Sequence, residues 1–136
     1  MSYTDTLIKV AEDCPVSKSE IPVAKRSSLP AHVIQFELLT QNPYTFDHEG
    51  LTYEVYIRQK EIPADVLQTS AEKIKEELFS KGHPCMRASA LTKRYGWGAH
   101  YNEAGKIAIY PQESEDYKKL MELVTVKKVP AMRSKK

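Results

Sequence analysis

One stretch of this sequence concentrates the side chains that do chemistry. Gly82 to His100 reads G-H-P-C-M-R-A-S-A-L-T-K-R-Y-G-W-G-A-H and holds three cations, two histidines, a thiol, three glycines and the only tryptophan. Ser89 suits the cap of a short helix over Ala90–Tyr95, with Arg87 just upstream. Free amides at a helix start attract anions, and a guanidinium offers oxyanions a planar fork. Lys93 and Arg94 add positive charge, while Gly96 and Gly98 remove bulk beside the Trp97 ring. Trp97 and Tyr101 share one strand face, and His100 lies on the other. Arg87, Ser89, Lys93, Arg94, Trp97, His100 and Tyr101 are therefore the candidate ligand-binding set, for a small phosphate-bearing anion. The same residues have a structural reading: Ser89 only caps, Arg87 meets a carboxylate, Lys93 and Arg94 form a solvated face, Trp97 fills core, and His100 is idle.

Cys85 and His100 are the candidates for catalysis. A cysteine nucleophile needs a base in reach and a stabilised thiolate, which His83 or His100 and Arg87 could supply. No cysteine-hydrolase motif accompanies Cys85, and a buried inert thiol is the commoner state. No metal or cofactor is expected. His32, His48, His83 and His100 are scattered, Cys14 and Cys85 form no Cys-x-x-Cys pair, and no carboxylate dyad is legible. An enzyme acting through Cys85 or His100 stands as the alternative to a binding module. A nucleic-acid-binding accessory protein is the second alternative. Lys127, Lys128, Arg133, Lys135 and Lys136 are its basic residues, and Tyr56 and Tyr101 its stacking platform. Against it, 18 acidic residues nearly balance 20 basic ones, and no RNP-like strand, KH loop or basic recognition helix is present.

These side chains need a scaffold, and 136 residues suit one domain. A chain of this size buries roughly two-thirds of its unfolded surface, enough for a core without disulfide or metal. A hydrophobic share of 41% with 28% charged residues excludes disorder, and a net charge of +2 does not demand a polyanionic partner. No basic-then-apolar leader opens the chain, and no stretch reaches the ~18 apolar residues of a membrane span. The expected setting is the cytoplasm, with both cysteines as free thiols.

Thr6–Ala11 reads as a strand, Val16–Leu29 as a long loop, and Pro30–Gln41 as a helix between prolines. Leu51–Gln59 alternates Leu51, Tyr53, Val55 and Ile57 against Thr52, Glu54, Tyr56 and Arg58, which predicts a strand. Thr69–Glu72 has capping-box spacing and predicts a helix over Ser70–Lys81 with Leu67, Ala71, Ile74 and Leu78 on one face. Trp97–Tyr101 and Lys106–Tyr110 read as a hairpin turning at Gly105. Ser114 caps a last helix with Tyr117, Leu120, Met121 and Val124 as its buried stripe. These readings describe an α+β single domain over residues 1–124, a small, mostly antiparallel sheet with helices packed on it. Residues 125–136 read as a basic C-terminal tail.

The segments V-A-E-D-C-P, F-S-K-G-H-P-C-M-R-A-S-A-L-T-K-R-Y-G-W-G-A-H, G-K-I-A-I-Y and A-M-R-S-K-K together resemble a family of small bacterial proteins catalogued only as a domain of unknown function. The resemblance covers nearly the whole chain. It implies a bacterial, cytoplasmic, stand-alone protein and brings no activity or site residue with it.

Overall fold

The computed structural model describes residues 3–23 and 30–134. Its elements are β1 (Thr6–Lys9), α1 (Ala31–Gln41), α2 (His48–Gln59), α3 (Ala64–Leu78), α4 (Ala90–Lys93), β2 (Trp97–Tyr101), β3 (Ile107–Pro111), α5 (Glu115–Glu122) and β4 (Lys127–Pro130). The α+β class holds. The sheet is mixed, ordered β3-β2-β1-β4, with two antiparallel pairings and a parallel one between β1 and β4. Among the described residues no helix is long and apolar enough to cross a membrane.

The hairpin forms as its turn residues require. Asn102 Oδ1 accepts from the Ala104 and Lys106 amides at 3.0 and 2.9 Å, and Gly105 takes φ +79°. The register places Ile8, Ala99 and Ile109 on one face of the sheet, and Leu7, His100 and Ala108 on the other. The first face joins Ile34, Leu38 and Leu39 of α1, Leu51 and Val55 of α2, and Leu91 of α4 in the core. Part of the long loop, residues 24–29, lies outside the described residues. The rest, residues 16–23, has no regular element.

Leu51–Gln59 is not a strand and pairs with nothing in the sheet; it belongs to α2. Its alternation misleads because Leu51 and Val55 are also four apart, which puts them on one face of a helix. The Asp47 carboxylate caps the helix by accepting the Gly50 amide at 2.8 Å, while His48, Leu51 and Val55 turn inward. The Thr69–Glu72 capping box does not form either. α3 starts six residues earlier than predicted, at Ala64, behind Pro63 in extended conformation. Thr69 sits inside the helix and its hydroxyl donates back to Asp65 O at 3.3 Å. The predicted stripe of α3 is half-buried apart from Leu78, which is buried.

Two corrections concern the C-terminal region. Ser114 does cap α5, but the helix ends at Glu122, and it buries no residue fully. Tyr117 and Leu120 are half-buried, Met121 is exposed, and Val124 lies beyond the helix, 98% exposed. The helix meets the sheet through Tyr117, which lies over Gly98. The stretch read as a basic tail supplies β4, whose Lys127 amide donates to Asp5 O at 2.8 Å. Two of its cations are engaged: Lys128 folds its ammonium onto the carbonyls of Leu123 and Val126, and Arg133 pairs with Glu12. Lys135 and Lys136 lie outside the described residues.

Candidate functional site

The fold divides the sequence-derived set among three places. The first is a cavity of about 190 Å³ where the start of α1 meets the segment before α4. Ala31, His32 and Gln35 line it from one side, and Cys85, Ser89 and Ala90 from the other. Among the described residues, no carboxylate lines it. α1 begins at Pro30 with no side-chain cap and no acidic residue in its first turn, so the Ala31 and His32 amides have no intrahelical acceptor. The Ser89 hydroxyl accepts from the Leu91 amide at 3.2 Å and spends its one proton on Gln35 Oε1 at 2.7 Å. It thereby turns the Gln35 amide group so that Nε2 remains a donor. His32 stacks on Tyr95 with ring centroids 5.1 Å apart. Burial, and then the nearby Arg94 guanidinium, push its pKa below the ordinary imidazole value.

Arg87 is engaged elsewhere. Its Nε donates to Pro130 O at 2.8 Å, and its own carbonyl accepts from the Met132 amide at 2.9 Å. The two bonds run along the outer edge of β4, where Pro130 has no N–H to offer. Arg87 thus closes an edge that would otherwise be open to pairing. Arg87→Ala is expected to cost about 1–2 kcal/mol, a charge-assisted bond discounted for exposure. Amide hydrogen exchange at Met132 should quicken, and the urea midpoint should fall. Unchanged stability combined with loss of anion binding would instead place Arg87 in a ligand site.

Trp97 and Tyr101 are core residues in this fold. The Trp97 ring meets Phe36 edge-on at 5.1 Å and its Nε1 donates to Glu20 O at 2.8 Å. Tyr101 is 0% exposed, packed edge-on against Tyr3, and its hydroxyl accepts from the Met86 amide at 3.4 Å. Lys93 is half-buried and Arg94 exposed at the end of α4. Tyr56 lies on α2, so it shares no sheet face with Tyr101.

Cys85 and Cys14 are both half-buried and unbridged. The Cys85 thiol lies beside the Tyr3 hydroxyl, whose pKa is raised first by burial and then by that thiol. Neither proposed base attends Cys85. His83 binds Leu78 O through Nε2 at 2.5 Å, in a second cavity of about 220 Å³ lined also by Tyr56 and Lys81. His100 faces the second side of the sheet, whereas Cys85 sits by Tyr101 on the first. There Nδ1 of His100 is 2.7 Å from the Tyr44 hydroxyl. Among the described residues no cluster of three or more metal-ligating side chains exists.

His32, Gln35 and Tyr44 were not singled out in the sequence. The only local signal was a helix start at Pro30 with no carboxylate in its first turn. Their partners lie more than fifty residues away, at Ser89, His100 and Tyr110. No curated protein and no solved structure matches the chain. A family does: the one described as "Family of unknown function (DUF6157)" matches residues 1–136. The chain is therefore a member of that family of unknown function.

Proposed function

We propose that this protein is a cytoplasmic binding module for a small oxyanion, of the phosphate-bearing class, held in the cavity at the start of α1. One observation carries the reading. Among the described residues, the cavity brings together N–H donors of Ala31, His32 and Gln35 that have no protein acceptor, with no carboxylate among its lining residues, and the Arg94 charge acts on His32 in its wall. Such a site favours oxygen-rich anions over neutral or cationic ligands. Arg87 and Ser89 act in support rather than in contact: Arg87 on β4, Ser89 by orienting Gln35. The alternative, an enzyme acting through Cys85, draws on the same cavity, because Cys85 lines it. A covalent adduct of the ligand on Cys85 distinguishes that case.

Sulfate is the suitable first probe because its charge does not change near neutral pH. At a sulfate concentration about 100 times Kd, binding to the folded state alone adds about 2.7 kcal/mol of stability, a shift of several degrees in Tm. Gln35→Ala and His32→Ala should each shrink that shift while remaining folded. The pH dependence has a definite sign. Burial and then the Arg94 charge lower the His32 pKa from its ordinary value, and protonation adds a positive charge to the cavity. Sulfate affinity should therefore rise as pH falls below the ordinary histidine pKa of about 6.5, and this rise should vanish in His32→Ala. No Tm shift in the wild type, or an equal shift in both variants, would refute the reading.

A further inference from the structure

The oxyanion site leaves a second cavity unused, of about 220 Å³, where the end of α3 meets α2. It is lined by Tyr56 of α2, Glu77 and Leu78 of α3, and Lys81 and His83 of the turn that follows. Clefts that take drug-sized molecules run to roughly 300–1,000 Å³, so this one suits a smaller ligand.

The end of α3 builds the turn. The last carbonyls of a helix have no amide partner within it. Here the Ser80 hydroxyl donates to Glu77 O at 2.7 Å, and the His83 ring reaches back to Leu78 O through Nε2. Phe79 meets the same ring edge-on, with centroids 5.9 Å apart. These contacts hold the imidazole in the cavity wall. A carbonyl oxygen only accepts, so Nε2 carries a proton. In the neutral ring Nδ1 is then an acceptor, and among the described residues no group donates to it.

Glu77 and Lys81 bring opposite charges to one small cavity. They are four positions apart, the spacing at which a glutamate and a lysine pair on a helix. α3 ends at Leu78, however, so Lys81 lies past the last helical turn. Among the described residues neither side chain is in an ion pair. Both are exposed, which leaves each charge open to a solute. Tyr56 and the buried Leu78 supply apolar surface beside them.

We propose that this cavity binds an apolar α-amino acid as its zwitterion. The ammonium meets the Glu77 carboxylate, with Nδ1 of His83 as a further acceptor. The carboxylate meets Lys81, and the side chain lies on Tyr56 and Leu78. A simple anion meets the Glu77 charge and a simple cation meets the Lys81 charge, so neither satisfies both. The two charges stand at an exposed rim, so each pairing is weak and selectivity comes from engaging both ends at once.

The test titrates the full chain, labelled with ¹⁵N at histidine, with L-leucine at fixed pH and ionic strength. Isocaproate lacks the amine of leucine, and isoamylamine lacks its carboxylate. L-leucine should shift the His83 ring resonances saturably at roughly millimolar concentration, and bind about 3-fold more tightly than either analogue. Glu77→Gln should remove the preference over isocaproate and keep that over isoamylamine. Lys81→Met should do the reverse. Both side chains are exposed, and an unchanged urea midpoint checks that both variants stay folded. A linear or absent response to L-leucine, equal affinity for leucine and an analogue in the wild type, or preferences that the substitutions leave in place overturns the proposal. Sulfate tests the rival occupant: a saturable shift at His83 with tighter binding than leucine makes this an anion site and overturns the assignment.

Discussion

Replacing Gly98 by valine should detach α5 from the sheet and cost about 3 kcal/mol or more. Gly98 lies in β2, between two hydrogen-bonded strands, so its backbone cannot retreat. A Cβ there would meet Tyr117 Cε2 at 2.3 Å and Cδ2 at 2.7 Å, distances that real atoms do not tolerate. The ring must leave, and with it goes the bond in which the Tyr117 hydroxyl accepts from the Val10 amide at 3.2 Å. Overpacking of this kind costs about 1–3 kcal/mol, and a lost hydrogen bond adds about 1 kcal/mol. A double-mutant cycle in urea isolates the contact. In a Tyr117→Ala background the valine has room, so Gly98→Val should cost far less there than in the wild type. Equal costs in the two backgrounds would show that the close approach is not what seats α5.

The second large effect separates core from ligand wall at Tyr101. Its ring is fully buried against Tyr3 and the first face of the sheet. Tyr101→Ala should cost about 3–5 kcal/mol, a large part of the ~5–15 kcal/mol that holds a domain together. Tyr101→Phe keeps the ring and removes only the acceptor of the Met86 amide, so it should cost about 1 kcal/mol. Sulfate binding should be unchanged in Tyr101→Phe, because the hydroxyl points at the Met86 amide. Near-normal stability of Tyr101→Ala together with lost sulfate binding would return Tyr101 to the ligand set.

Tyr101 and Arg87 show why the candidate site was only half legible. Both stand in a segment rich in functional side chains, and both are absorbed by the scaffold, one into the core and one onto the edge of β4. Ser89 was correctly read as a cap. Its second bond, to Gln35, crosses 54 positions of sequence, and no local pattern announces it. His32 gave no sign of its position, since a lone histidine in a first helical turn looks the same whether it faces a cavity or solvent.

Local chemistry alone determined the parts of this protein whose partners are a few residues apart. The hairpin turning at Gly105, the caps at Ser89 and Ser114, and the C-terminal end of the helix between Pro30 and Pro43 each satisfy their own backbone groups within one turn. Tertiary structure decided what local chemistry left degenerate. Leu51 and Val55 share a face in a strand and in a helix alike, and the apolar wall offered by α1 selects the helix. Lys127–Pro130 is too short and too polar to declare itself a strand, and it becomes one because β1 presents an unpaired edge beside it. The site follows the same rule. Side-chain types at Ser89 and His100 were visible in the chain, but a side chain's role depends on which distant group reaches it, and only folding brings Gln35 and Tyr44 within hydrogen-bond distance.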